Sequence, residues 1–201
     1  IFVSTGGAIY GDVRTPLVSE DHPTFPVNAY GLSKLVFEHY LRLYRRNHGL
    51  DYLAFRPGNP YGSGQDPRGA QGAVAVFLGH IDRGEPVPIW GDGSVVRDYL
   101  HVDDLVSALV RGLDVTPDEA MPRVFNIGSG QGLSLNDLLR ELTAITGLVP
   151  QVDHRPARPV DAPRIVLDIS RAGHWLDWSP SISLADGLRR TWEWIRSEGA
   201  R

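Results

Sequence analysis

Tyr30 and Lys34 stand four residues apart in a segment whose apolar residues recur with helical spacing. That separation places both side chains on one face of a helix, one turn apart. A neighbouring ammonium favours the phenolate form of a tyrosine, which is the form that acts as a general base toward a hydroxyl group. Lys34 is the only lysine among the 20 Lys and Arg residues. The pair predicts proton-transfer chemistry, with a chance spacing on a solvated helix as the alternative.

The elements around this pair alternate between strand and helix. Residues 1–3 predict a buried strand, 29–47 a helix, and 52–55 a second buried strand that ends at Arg56-Pro57-Gly58. This order favours a parallel sheet with right-handed crossovers. In such sheets ligands bind at the carboxyl ends of the strands, and Ser4-Thr5-Gly6-Gly7 follows the first one directly.

The rest of the chain predicts a mixture of short elements. Loops are expected over 4–7, 12–28, 59–72 and 150–164, helices near 73–83, 103–113, 135–146 and 183–197, and strands near 87–90, 95–100 and 124–127. The predicted fold class is therefore α/β, with an incomplete doubly wound parallel sheet and a smaller α/β subdomain.

Composition excludes several classes of function. The net charge is −4 without a long run of one sign, so we expect no nucleic acid or membrane partner. The chain has no Cys, which excludes disulfides and thiolate metal sites and is compatible with the cytoplasmic location that we predict. It begins with Ile1-Phe2-Val3, without Met and within a predicted strand, so we expect that preceding sequence is missing.

Asp103 and Asp104 follow His101 at the predicted start of a helix. Carboxylates at that place commonly cap the helix and stabilise its dipole. We therefore predict no metal site.

Further motifs surround Tyr30 and Lys34 in a fixed order. They are Ser4-Thr5-Gly6-Gly7-Ala8-Ile9-Tyr10-Gly11, Arg56-Pro57-Gly58-Asn59-Pro60-Tyr61-Gly62, Gln65-Asp66-Pro67, Gly91-Asp92-Gly93, Arg97-Asp98-Tyr99, His101-Val102-Asp103-Asp104, Phe125-Asn126-Ile127-Gly128 and Arg158-Pro159-Val160-Asp161. With them the whole chain resembles the C-terminal two-thirds of the extended short-chain dehydrogenase/reductase superfamily, in particular the UDP-glucose 4-epimerase (NAD-dependent epimerase/dehydratase) family.

The resemblance implies a Rossmann-like dinucleotide-binding domain, whose C-terminal half with the Tyr30 helix occupies residues 1–60. Residues 61–201 then form mainly a substrate-binding subdomain, with about 95–125 returning to the Rossmann-like sheet. The resemblance also implies a homodimer through a four-helix contact that includes the Tyr30 helix.

The chemistry implied by the resemblance is an NAD-dependent isomerase reaction on a UDP-sugar. Tyr30 takes the proton of the sugar 4-hydroxyl while C4 gives its hydride to the nicotinamide, and the 4-ketose rotates before it is reduced on its other face. Lys34 binds the nicotinamide ribose, and Ser4 and Pro57 are further cofactor contacts.

The resemblance also implies a Ser or Thr hydroxyl beside Tyr30. Counting back from Tyr30 favours Thr5, with Ser4 as the fallback, whereas counting back from Tyr10 gives Gly6, which has no hydroxyl. The alternative is that both hydroxyls only satisfy backbone groups at the strand end.

On the substrate side the resemblance assigns Arg97 and Arg158 to the diphosphate, because forked guanidinium donors match phosphate oxygens. Asn59 resembles an asparagine that contacts the same part of the substrate. Asp161 is expected to orient Arg158 or to contact a sugar hydroxyl.

Several alternatives remain open from the sequence. Related 4,6-dehydratases and decarboxylases carry Asp-Glu or Ser-Glu just after the active Thr, where this chain has Gly6, Gly7 and Ala8, so 4-epimerisation is favoured. Epimerases of UDP-glucuronate or UDP-N-acetylhexosamines are not distinguished. No Gly-x-x-Gly-x-x-Gly follows a strand, so we expect weak or no NAD binding by this segment alone. Because this glycine motif is missing, a non-catalytic binding or assembly module is the alternative from another functional class.

Overall fold

A computed structural model describes residues 1–157 and 162–199. Its strands are β1 (Phe2–Val3), β2 (Ala54–Pro57), β3 (Asn59–Tyr61), β4 (Val87–Trp90), β5 (Val96–His101), β6 (Val124–Ile127), β7 (Gly132–Ser134), β8 (Val152–Arg155) and β9 (Arg164–Ile165). Its helices are α1 (Gly6–Ile9), α2 (Ala29–His48), α3 (Ala73–Arg83), α4 (Val102–Asp114), α5 (Leu135–Thr146), α6 (Ser170–Leu176) and α7 (Leu184–Gly199).

The first sheet has the order β1-β2-β6 and is parallel throughout. Its strands are short apolar runs, and Phe55 of β2 pairs in register with Phe125 of β6. These two rings also meet edge to face, with centroids 6.0 Å apart. The parallel α/β architecture predicted from the sequence is confirmed.

The second sheet is built around β5, which pairs with β3 and β9 in parallel and with β7 antiparallel. β4 and β8 form a separate parallel pair. The chain passes from β2 to β3 at Gly58, where a Cβ would lie 2.7 Å from the backbone oxygen of Asp98. A glycine is needed there because the two sheets approach so closely.

β6 joins β2 although it lies after residue 60, and the division of the chain near that residue stays a prediction.

Several segments predicted as loops contain regular structure. Gly6–Ile9 forms the single turn α1, β3 lies within 59–72, β8 lies within 150–164, and β9 begins at Arg164. The prediction missed the strands because they are held by pairing with distant strands, and β8 is exposed at all four positions and so has no apolar alternation. Helix α6 was also not predicted.

Helix α2 begins and ends as the sequence predicts. The Asn28 side chain accepts a hydrogen bond from Gly31 N at 2.8 Å, and Gly49 ends the helix with φ 69°. A Cβ on Gly31 would lie 2.2 Å from the oxygen of Ala8, so this glycine lets the first turn of α2 contact α1. The residue before it, Tyr30, is thereby placed next to the loop that follows β1.

Packing between the helices uses separate apolar clusters. Leu78 of α3, Leu138 and Leu142 of α5, and Leu188 of α7 lie in one of them. Within residues 1–157 and 162–199, no helix is both long and apolar enough to span a bilayer.

Candidate active site

Tyr30 and Lys34 lie on the same face of α2, and that face turns toward β1. The Lys34 ammonium donates a hydrogen bond to the Val3 oxygen at 2.8 Å and lies 5.7 Å from the centroid of the Tyr30 ring. It also lies 5.1 Å from the Phe2 ring. Tyr30 itself is 55% exposed. The phenol and the amine are therefore side by side at the carboxyl end of β1, with the phenol open to ligands.

The three positions considered for an active hydroxyl differ sharply in this structure. Ser4 is 1% exposed and its hydroxyl donates to Glu38 Oε1 at 2.5 Å. A Cβ on Gly6 would lie 2.6 Å from Leu167, so a side chain there would enter the core. Thr5 is at the N-cap of α1, and its hydroxyl forms no capping hydrogen bond among the described residues. Thr5 is itself only 6% exposed, and its assignment as the active hydroxyl stays a prediction.

A cleft of about 700 Å³ opens beside Tyr30. Tyr30, Asn59 and Arg97 all line it, although they come from α2, β3 and β5. The apolar and aromatic part of the wall is formed by Val76, Phe77, Pro88, Trp90, Val95, Tyr99 and Leu135. Polar side chains facing the cleft are those of Gln71, His80 and Arg155. The structure therefore brings together three predicted site residues that are up to 67 positions apart.

Arg97 is oriented by backbone oxygens. Its Nη1 donates to the oxygens of Val96 at 2.9 Å and Ala162 at 2.7 Å. The predicted substrate residues Arg158 and Asp161 lie outside the described residues. Pro57, a predicted cofactor contact, is buried at the end of β2.

Trp90 and Arg155 were not singled out from the sequence. They are paired in register across β4 and β8, and the Arg155 guanidinium lies 5.4 Å from the Trp90 ring centroid. Arg155 Nε also donates to Asp153 Oδ2 at 2.9 Å. Because 150–164 was predicted as a loop, no sequence signal placed Arg155 beside Trp90.

The second tyrosine of the cleft, Tyr99, is buried. Burial raises the pKa of Tyr99 to about 12, and Arg97 nearby opposes this in part. Its phenol therefore stays protonated at neutral pH and does not serve as a base. Tyr30 is the cleft tyrosine that remains exposed.

Asp98 fastens the loop behind Arg97. Its buried carboxylate accepts hydrogen bonds from Ser129 N and Ser129 Oγ, each at 2.7 Å, and from Gly130 N at 3.2 Å and Leu167 N at 3.1 Å. Burial raises the pKa of Asp98, while these hydrogen bonds lower it in part. Asp98 therefore holds β5, the 128–132 loop and the segment after β9 together, and does not face the cleft.

The chain matches known proteins along its whole length. The model of the NAD dependent epimerase/dehydratase family matches residues 1–128. The chain belongs to this family. It thereby also belongs to the extended short-chain dehydrogenase/reductase superfamily, as the sequence motifs predicted.

This family member is similar to the UDP-glucose 4-epimerase of Mycolicibacterium smegmatis, with 37% identity over 98% of the chain and 62% of that protein. It is 36% identical to the dTDP-4-dehydro-6-deoxyglucose reductase of Escherichia coli, over 98% of the chain and 61% of that protein. The chain thus spans about three-fifths of the length of these relatives.

Solved structures agree with the fold. The UDP-glucose 4-epimerase of Thermotoga maritima with UDP-glucose has a TM-score of 0.92 and 41% identity, covering 98% of the chain and 63% of that protein. The UDP-glucuronic acid 4-epimerase of Bacillus cereus, in complex with UDP-glucuronic acid and NAD, has a TM-score of 0.89 and 30% identity, covering 98% and 60%. The predicted Rossmann-like sheet is confirmed by this likeness.

Proposed function

We propose that the full-length gene product is an NAD-dependent epimerase that inverts C4 of a UDP-hexose, interconverting UDP-glucose and UDP-galactose. The observation that carries the proposal is the pairing of Tyr30 with Lys34 at the mouth of a cleft that also contains Asn59 and Arg97. The similarity to UDP-sugar 4-epimerases supports the same reaction class.

Tyr30 acts in this proposal as the group that takes and returns the proton of the sugar 4-hydroxyl. Thr5 donates a hydrogen bond to the same oxygen. An ammonium has three N–H donors, and Lys34 uses one on Val3 O, so two remain for the diol of a ribose. Lys34 therefore fits the nicotinamide ribose of NAD, with Ser4 and Pro57 as neighbouring backbone contacts. NAD, when bound, supplies the acceptor and donor of the C4 hydrogen.

At the other end of the cleft, Arg97 and Asn59 bind the diphosphate, together with Arg158. Asp161 orients Arg158 or contacts the sugar. Trp90 offers an aromatic surface for the nucleobase, and Arg155 adds a positive charge beside it. Thus one end of the cleft handles protons and the other binds the nucleotide.

The glycines after Thr5 support epimerisation over dehydration. A Cβ on Gly7 would lie 3.4 Å from Oδ1 of Asn59, which lines the cleft, so a side chain at position 7 would point toward that residue. Elimination needs an additional acid or base near the sugar, and glycine provides none. Reduction of a 4-keto sugar is the second candidate, favoured by the similarity to a dTDP-4-dehydro-6-deoxyglucose reductase.

We also propose a homodimer that forms through α2. This helix exposes a row of apolar side chains, namely Leu32, Val36, Phe37, Tyr40, Leu43 and Tyr44. An apolar surface of this kind is typical of a subunit contact, and a two-fold axis places the same helix on both sides. A cytoplasmic location completes the proposal and agrees with the lack of cysteine.

The test is to incubate the full-length gene product with UDP-galactose and follow the sugar by NMR. The proposal expects UDP-glucose without net change in NADH, and Tyr30→Phe should lower kcat about 10²–10⁴-fold while UDP binding is retained. Stoichiometric oxidation of added NADPH with a 4-keto sugar would indicate the reductase instead. Absence of conversion for UDP-galactose, UDP-glucuronate and UDP-N-acetylglucosamine alike would refute the epimerase.

A further inference from the structure

The face of α2 that carries Tyr30 and Lys34 continues to Glu38, one more turn along the helix. Glu38 is the only acidic residue of α2 and is 6% exposed. This carboxylate is buried on the same helix face as the exposed phenol, and it takes no part in the proton transfer proposed above. Its contacts show what it does.

Glu38 binds the two strands beneath α2. Its Oε1 accepts hydrogen bonds from Ser4 Oγ at 2.5 Å and Arg56 Nε at 3.0 Å, and its Oε2 accepts one from Arg56 Nη2 at 2.6 Å. Ser4 directly follows β1 and Arg56 lies within β2. A single carboxylate thus fastens the helix to adjacent strands of the first sheet, with the forked geometry that makes Arg–carboxylate pairs directional.

Arg56 connects this contact to the rest of the sheet. Its Nη1 donates to the Tyr10 hydroxyl at 2.9 Å, and that hydroxyl donates to Asn126 Oδ1 at 2.6 Å. Burial raises the pKa of Tyr10 to about 12, although Arg56 opposes the rise, so Tyr10 remains a neutral donor at neutral pH. The series Ser4, Glu38, Arg56, Tyr10 and Asn126 is called the buried network below.

The buried network ends next to the reacting groups. Lys34 bonds to the oxygen of Val3, Glu38 bonds to the side chain of Ser4, and Thr5 is the following residue. The end of β1 is therefore tied to α2 at two points one helical turn apart. Any shift of Ser4 relative to Glu38 moves the acceptor of Lys34 and the hydroxyl of Thr5 together.

We propose that Glu38 is a positioning residue, which through Ser4 and Arg56 fixes Lys34 and Thr5 relative to Tyr30; this inference rests on the proposed function of that site. A buried ion pair contributes little net stability, since desolvation offsets the attraction, and apolar replacements are often as stable. The effect of such a contact on the reaction rate is larger, because a misplacement of about 1 Å can lower a rate about 100-fold.

The test uses Glu38→Gln in the full-length gene product. Glutamine keeps the size and one oxygen for Ser4 Oγ but presents an NH₂ group to Arg56 in place of the second oxygen. The expected result is a fall in kcat of about 10–100-fold, with KM and bound NAD changed less than about twofold.

A matched control is Asp104→Asn. Asp104 is also buried, at 2% exposure, and accepts a hydrogen bond from a serine hydroxyl, Ser181 Oγ, at 2.9 Å. It is not part of the cleft lining. Its substitution should lower the melting temperature while kcat of the folded enzyme stays within about twofold of wild type. If both variants lost kcat equally, in proportion to their loss of stability, Glu38 would have only a structural role.

A second readout does not depend on turnover. Labelling lysine with ¹³C at Cε in the full-length gene product gives resonances among which the one lost in Lys34→Arg belongs to Lys34. Glu38→Gln should shift this resonance, and Asp104→Asn should leave it in place. If wild type lacks epimerase activity but the shift occurs, the proposed function fails and the positioning survives.

An unshifted Lys34 resonance, or an unchanged kcat in an active enzyme, would overturn the inference. If Glu38→Gln does not fold, Ser4→Ala tests the same link, since it removes only the tie between β1 and Glu38. It should shift the Lys34 resonance and lower kcat about 10-fold with bound NAD unchanged, and failure of either effect overturns the inference too.

Discussion

The cleft has a reaction end, where we propose proton transfer, and a nucleotide end, where we propose binding of the diphosphate and base, and the two ends are held in different ways. At the reaction end, Ser4, Glu38 and Arg56 are buried and their side chains bond to one another beneath Tyr30 and Lys34. At the nucleotide end, Arg97 is held by backbone oxygens and Arg155 lies on the exposed strand β8. Proton transfer requires fixed distances between the reacting groups.

This difference indicates where the family can vary. Relatives with this fold include proteins crystallised with UDP-glucose and with UDP-glucuronic acid, which differ at the sugar. A rigid reaction end is compatible with different sugars if the opposite wall of the cleft differs in shape between relatives. Substitutions at the reaction end should therefore change kcat, and substitutions at the nucleotide end should change KM.

After loss of the Tyr30 hydroxyl, removing the ammonium is the most severe change at the reaction end. We expect Lys34→Met to lower kcat about 10²–10³-fold with little loss of stability, because the proton-transfer group loses its charged neighbour. Lys34→Arg should not restore it, since a guanidinium does not replace a compact ammonium. Arg42→Met is the control on the same helix and should leave kcat unchanged. Steady-state rates and thermal melts measure both effects; a fully active Lys34→Met would contradict the assigned role.

Arg97→Ala tests the nucleotide end. Hydrogen bonds to charged groups contribute about 1.5–3 kcal/mol, so KM for the UDP-sugar should rise about 10–100-fold while kcat changes little. Binding of UDP, measured by calorimetry, should weaken by a similar factor. A loss confined to kcat would show that the two ends are not separate in function.

Thr5 gives a smaller effect at the reaction end. Thr5→Val removes the hydroxyl with little change in shape and should lower kcat about 10-fold, as expected for one neutral hydrogen bond. Thr5→Ser should retain most of the activity. If Thr5→Val is as active as wild type, Thr5 is not the active hydroxyl.

The smallest effect concerns His101, on the same strand as Arg97. Burial lowers the pKa of His101, and its Nε2 has no hydrogen-bond partner among the described residues. The unfolded chain takes up a proton near pH 6.5 that the folded chain resists, so wild type should lose stability as pH falls below about 6.5. Urea denaturation at pH 8 and pH 5.5 should show a steeper loss for wild type than for His101→Gln. Parallel losses would mean that other groups dominate.

The sequence predicted the reaction pair because its spacing is local. Tyr30 and Lys34 share a face in any helix, and Asn28 and Gly49 mark the ends of that helix. The nucleotide end was predicted only in part. Arg97 and Asn59 were found through motifs, whereas Arg155 depends on the pairing of β4 with β8, which has no periodic signal.

The buried network had no sequence signature either. Glu38 and Arg56 are 18 positions apart, and Glu38 alone on a helix is typical of a solvated residue. The order of the motifs predicted the candidate site residues, whereas the buried network beneath them emerged only from three-dimensional contacts.

The buried network has a kinetic consequence for how the protein reaches its active form. Its members lie between Ser4 and Asn126, a span of more than half of the chain, and the strands β1, β2 and β6 that it connects pair in parallel. Contacts between residues so distant in sequence form slowly, because the chain loses conformational entropy before these contacts stabilise it. Catalytic competence should accordingly emerge in the last phase of refolding, after the helical signal has recovered.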